Sequence, residues 1–328
     1  MKVIQAFPKS ATVAVLLLFA TIVASAPPNA EADPAAEQHS PYQNSDRQRL
    51  SAFRERSRPP LDAEPSSKFE DDVLRGRLAR EHIFALYSAD DFGPDLADLD
   101  RDSLLARYRA AEHTAFWGQS VKALDWLEQA FDVRYQRGDL DQRQIDMAGG
   151  LFLWNREFER AEEFQERINV SQPSRIPTIV RDPKNVDSDS SNMPVWRLDS
   201  EADALVLDHL TLSGKQLVIT MNNRCGPSQQ ALASINSNSD LLALIQKHGL
   251  FLHGPSSDLD FDHIAQLNHA NPEIPIVLVD SITDWPEKRS WATPTFHVYD
   301  QGEVIGYHPA WKDAEHFRAW LGEFFELD

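Results

Sequence analysis

The sequence predicts two fold classes joined end to end: an all-α region, followed by an α/β domain built on a mixed sheet with flanking helices. Two observations carry this. Between residues 68 and 169 glycine and proline are scarce and apolar residues recur at helical spacing. From Trp196 onward, apolar runs of strand length alternate with amphipathic stretches. A third observation concerns the start of the chain, which reads as an export signal.

Lys2 and Lys9 precede an apolar run from Ala11 to Ala26. Two small-residue sites follow. Ala24-Ser25-Ala26 is followed by Pro27, which disfavours cleavage, whereas Ala30-Glu31-Ala32 is followed by Asp33. Residues 1–32 are therefore expected to be a signal peptide cut after Ala32, and the protein is expected in the periplasm. An uncleaved anchor is the competing reading, but the apolar run falls short of the ~20 residues a spanning helix needs. Residues 33–67 are rich in Pro, Ala, Ser and acidic residues, and predict a disordered tether.

Five helices are predicted next. The first carries Val73, Leu74, Ile83, Phe84 and Tyr87. The second starts near Asp102-Ser103, read as its cap, and carries Leu104, Tyr108 and Phe116. The third carries Leu124, Leu127 and Phe131 and ends at Gly138. The fourth begins at Asp141 and the fifth at Glu157. In the last pair, Gly149, Phe152, Phe158 and Ala161 loosely resemble the tetratricopeptide pattern. A plain helical bundle explains the same spacing. The aromatic residues Phe116, Trp117, Trp126, Phe131 and Trp154 are expected in the core rather than in a ligand groove. Residues 170–193, with Pro173, Pro177, Pro183 and a run of Asp and Ser, predict a linker.

In the last third, Trp196–Leu198, Leu205–Leu207, Leu217–Thr220, Leu250–Leu252 and Ile276–Val279 read as strands. A sixth begins in Trp291–Phe296 and ends near Asp300, and after the tight turn at Gln301-Gly302 the return strand runs from Glu303 to Tyr307. Helices are expected after Cys225, at Leu241–Lys247, at Phe261–Asn268 and at Asp313–Phe325.

Two motifs stand in this stretch. Gly214-Lys215, an apolar strand and then Cys225-Gly226-Pro227-Ser228 form the first; Thr293-Pro294-Thr295, an apolar strand, Asp300 and Gly302 form the second. Together they resemble the thioredoxin-like superfamily, and more closely its TlpA-like branch, over residues 194–328. The resemblance implies a thioredoxin fold, a cis bond before Pro294, and a client cleft formed by Arg224, Gly226, Pro227 and Thr293. It makes Cys225, Ser228 and Pro294 the candidate catalytic residues. It implies no cofactor and no metal.

The departures from that family matter as much. Cys225 is the only cysteine, so no intramolecular disulfide can form. Ser228 replaces the second cysteine of the redox pair and cannot resolve a mixed disulfide. Arg224 replaces the family's tryptophan. Ile219 and Ala231 occupy the positions where the family's buried carboxylate is sought. A cysteine at a helix start is expected to have a lowered pKa, to which a neighbouring Arg224 would add.

Three readings follow. Cys225 is a monothiol that forms mixed disulfides, or the domain is a redox-inactive binding module, or Cys225 is merely a small residue at a helix start. His253, His263, His269 and His297 match no zinc spacing and are expected to be surface or packing residues. With 51 acidic against 32 basic residues and a net charge of −19, nucleic acid and anionic membranes are disfavoured as partners. A protein client or thiol partner is expected, and a membrane only if the signal segment is uncleaved.

Overall fold

A computed structural model describes residues 41–57, 71–171, 173–181, 192–285, 288 and 291–326. The expected signal peptide, residues 33–40 and 58–67 of the tether, and 182–191 of the linker lie outside the described residues.

The N-terminal half is helical: α1 Pro41–Arg56, α2 Asp71–Leu86, α3 Arg101–Gly118, α4 Val121–Gln136, α5 Gln142–Trp154 and α6 Phe158–Arg167. Helix α1 corrects the reading of this stretch as a disordered tether. Its order comes from tertiary contacts that composition does not reveal. Phe53 is fully buried, and buried Asp46 pairs with Arg107 of α3 at 3.2 Å. The cap of α3 is also corrected. Asp100, not Asp102-Ser103, accepts the Asp102 and Ser103 backbone N–H groups. Ser120 caps α4, and Asp141 with Gln144 forms a capping box on α5.

Two of these helices end alike. After α4 the N–H groups of Gly138 and Asp139 return to Tyr135 and Arg134, with Gly138 at φ +68°. After α5, Arg156 and Glu157 return to Leu153 and Phe152. Both are Schellman ends, but the second puts an arginine, at φ 61°, where glycine is usual.

The C-terminal half holds an eight-stranded mixed sheet of order β1-β3-β2-β6-β5-β4-β7-β8. Its strands are β1 Thr178–Val180, β2 Asn192–Asp199, β3 Ala204–Thr211, β4 Lys215–Met221, β5 Gly249–His253, β6 Ile276–Val279, β7 Thr295–Asp300 and β8 Glu303–His308. Strands β4, β5 and β6 run parallel, while β7 is antiparallel to β4 and β2 to β6. Gln301 at φ 52° and Gly302 at φ 86° make the expected tight turn between β7 and β8.

Four helices accompany the sheet: α7 Gly226–Asn236, α8 Ser239–His248, α9 Phe261–Ala270 and α10 Ala314–Leu321. Alternation along each strand divides its side chains between two faces. Leu217, Ile219, Phe251 and Phe296 share a core with Ile235, Ile245, Ile264 and Phe317 of the four helices. Val195, Val218, Leu252, Val277 and Tyr299 face the other way and pack around Trp285.

The first of these cores also contains the buried residues of α1–α6. Phe158, which opens α6, meets Trp196 of β2 edge-on at 5.2 Å and Phe261 of α9 at 6.1 Å. Helical region and sheet therefore share buried apolar surface, although the linker between them is polar. Gly150 in α5 permits a close approach, since a Cβ there would stand 2.7 Å from the backbone of Ser257. Of the aromatic stripe, Trp126 and Phe131 are buried, while Phe116, Trp117 and Trp154 are half-buried. Among the described residues no helix is long and apolar enough to cross a membrane.

Candidate functional site

Strand β4 ends at Met221, and four residues later Cys225 forms the N-cap of α7. The intervening turn ties itself together. The Asn222 side chain accepts the Arg224 N–H at 2.9 Å, and its carbonyl accepts the Cys225 N–H at 3.0 Å. Ser228, buried in the first turn of α7, accepts the Asn222 N–H through Oγ at 3.3 Å. Pro227 sits in that same turn, where a missing N–H costs no helical hydrogen bond. Gly226 and Pro227 are exposed and Cys225 is half-buried.

The opposite wall comes from the segment entering β7. Thr295 pairs with Thr220 across the sheet, which brings Thr293 and Pro294 alongside the cysteine turn. The Thr293–Pro294 peptide bond is cis, as the resemblance implies. The Cys225 thiol lies 3.5 Å from the Thr293 carbonyl oxygen, within reach to donate to it. Pro294 is buried and Thr293 half-buried, so seven of the expected positions gather here: Arg224, Cys225, Gly226, Pro227, Ser228, Thr293 and Pro294.

Burial pushes the Cys225 thiol up, but hydrogen bonds from the Thr293 side chain and from the backbone and hydroxyl of Ser228 outweigh it and hold the pKa below its ordinary value. The expected contribution of Arg224 is corrected. Its guanidinium pairs with Asp258 and, at 3.2 Å, with Asp260, and its pKa is raised by those carboxylates. Asp260 also caps α9. Arg224 thus fastens the turn to the start of α9, with its charge neutralised. Ile219 and Ala231 are buried and apolar, and supply no proton carrier.

Sequence reasoning passed over the layer beneath. Asn223 is buried, and its side chain lies 3.2 Å from Nε2 of fully buried His253, the last residue of β5. The other His253 nitrogen lies 2.9 Å from the Gly254 carbonyl oxygen. That carbonyl also accepts from Arg156 at 3.1 Å. Burial holds His253 near a pKa of about 4, so the ring is neutral at pH 7. The neutral ring has one proton to offer two facing oxygens, the Gly254 carbonyl at Nδ1 and Asn223 Oδ1 at Nε2. The sole signal in the sequence was the asparagine beside the cysteine motif, since a lone histidine ending an apolar strand carries no pattern.

Among the described residues, no three His, Cys, Asp or Glu side chains converge as metal ligands. Comparison with protein-family models, with curated proteins and with solved structures found no match.

Proposed function

We propose that residues 194–328 form a thioredoxin-like domain of the TlpA-like kind, and that the protein works outside the cytoplasm as a monothiol thiol-disulfide accessory factor through Cys225. One observation carries this reading: a cysteine capping a helix, its pKa held down, within hydrogen-bond reach of the residue before a cis proline. The order of elements supports the fold. A strand leads into the cysteine helix, a parallel strand follows, and the proline segment enters an antiparallel neighbour. The composition of residues 1–32 supports export.

The chemistry stops halfway. The Cys225 thiolate attacks a client disulfide, a new sulfur–sulfur bond forms, and the client's other sulfur leaves as thiolate. Ser228 offers no thiol to reverse the bond, so release waits for an outside thiol. One observation favours a second reading, a redox-inactive binding module. Arg224, the cation next to the cysteine along the chain, is engaged by two carboxylates.

Titrating the thiolate absorbance of the full chain separates the two, with oxidised glutathione as the probe disulfide. A pKa clearly under 8.5 and a glutathione adduct that disappears in Cys225→Ser support the monothiol. An ordinary pKa without an adduct overturns it in favour of the binding module.

A further inference from the structure

Away from the cysteine, a cavity of about 430 Å3 opens where α1 and α5 meet α3. Phe116 and Trp117, ring to ring at 4.9 Å, line it from α3, and Met147 and Leu151 line it from α5. That size and apolar lining fit a small organic molecule.

Its charge is out of keeping with the chain. The protein carries a net charge of −19, yet two guanidiniums, Arg54 and Arg109, stand at this cavity with a single carboxylate, Glu112. Glu112 is engaged by Arg109 at 2.5 Å. Arg54 is exposed and meets no carboxylate among the described residues. A third guanidinium, Arg75, lies over the Trp117 ring at 4.2 Å. Arg54 and Arg75 also act on His113, the remaining polar group of the lining.

Burial and those two cations hold His113 neutral, near a pKa of about 4. Its Nδ1 is buried without a partner, while Nε2 is not closed off in this way. An unpaired buried N–H costs more than an unpaired lone pair, so the single proton sits on Nε2. The cavity thus combines an aromatic corner, with the Phe116 and Trp117 rings at 84° to one another, a neutral imidazole and one uncommitted guanidinium.

We propose that this cavity is a binding site for a small organic anion with a flat apolar body, of the arylacetate class. The ring lies against Phe116 and Trp117, and the carboxylate takes a charge-assisted hydrogen bond from Arg54. This site is independent of the reading of Cys225, since none of its residues belongs to the cysteine turn.

The experiment is calorimetric titration of the full chain with phenylacetate, with phenylacetamide as the uncharged isostere. Saturable phenylacetate binding is expected, with the amide about tenfold weaker, as befits loss of one charge-assisted contact. Arg54→Gln should weaken phenylacetate by a similar factor while leaving the melting temperature unchanged, because the side chain is exposed. Absence of saturable binding at millimolar phenylacetate overturns the site, as does equal binding of acid and amide. If Arg54→Gln folds poorly, the acid–amide comparison on the unaltered chain decides alone.

Discussion

Arg156 donates from Nε to the Val279 carbonyl oxygen at 2.7 Å, across the junction between the helical region and the sheet. The same guanidinium reaches Leu153 at 3.2 Å and Gly254 at 3.1 Å. A buried arginine whose hydrogen bonds, among the described residues, all go to carbonyl oxygens is a costly arrangement, repaid only if its donors are met. The side chain closes the end of α5, the end of β6 and the loop after β5 at once. Its left-handed backbone follows from that task, because the Schellman end of α5 is what aims this residue at the sheet.

Arg156→Ala should therefore destabilise the protein by about 3 kcal/mol, since several buried carbonyls lose their donor together. Arg156→Gly loses the same bonds but relieves the left-handed backbone, and should be about 1 kcal/mol less damaging than the alanine variant. Urea unfolding of the two variants beside wild type checks both numbers. Equal losses for Gly and Ala would contradict the account of the backbone.

The elements that carry a period were legible in the sequence. Helices α2 to α6 and the strands from β4 to β8 lie within a few residues of where spacing and turn residues put them. The gathering of Cys225, Ser228 and Pro294 followed from two motifs about seventy residues apart. Helix α1 was not legible, because its order rests on Phe53 and on the Asp46–Arg107 pair rather than on a repeating apolar face. Nor was the junction. Composition reports that the linker is polar, but the contact is made elsewhere, by Phe158 and Arg156, and nothing local in the sequence marks either as an interface residue. Arg224 misled for a similar reason. Adjacency along the chain suggested a cation for the thiolate, while Asp258 and Asp260, more than thirty residues on, took the charge.

On the proposed thioredoxin-like reading, Ser228 occupies the position from which a second thiol would act. Ser228→Cys should form an intramolecular disulfide with Cys225 on mild oxidation, read as loss of both free thiols without a change in oligomeric state. Ser228→Ala should raise the Cys225 pKa, because one of the hydrogen bonds that lower it comes from the serine hydroxyl. It also leaves the Asn222 N–H without its acceptor, at a cost of about 1 kcal/mol.

Arg224→Ala tests the neutralised cation. If the guanidinium serves Asp258 and Asp260 rather than the sulfur, the thiolate titration of Cys225 should stay where it is in wild type. These are exposed ion pairs, so stability should fall by less than about 1 kcal/mol. A clear rise in the Cys225 pKa would show that Arg224 acts on the sulfur after all.

His253 gives the fold a pH dependence whose sign follows from burial. In the unfolded chain a histidine titrates near 6.5, whereas the folded protein holds this one near about 4. The folded state therefore refuses a proton that the unfolded state accepts. The resulting stabilisation is complete above pH 6.5 and is lost as pH falls through the window between the two values, at about 1.4 kcal/mol per pH unit. His113, also held near about 4, adds to the loss over the same range. Urea unfolding at pH 7, 6 and 5 should show stability falling with pH before the carboxylates begin to protonate. His253→Gln keeps a hydrogen-bonding side chain but cannot titrate, so its stability should decline less steeply across the window, even if it starts lower. Because Asn223 holds His253 to the cysteine turn, the protonation that loosens the fold should also disturb Cys225. Between pH 6 and 5 the wild-type adduct yield with oxidised glutathione should fall more than thiol protonation alone predicts, and in His253→Gln that excess should vanish. Parallel profiles for the two proteins would separate the histidine from the site.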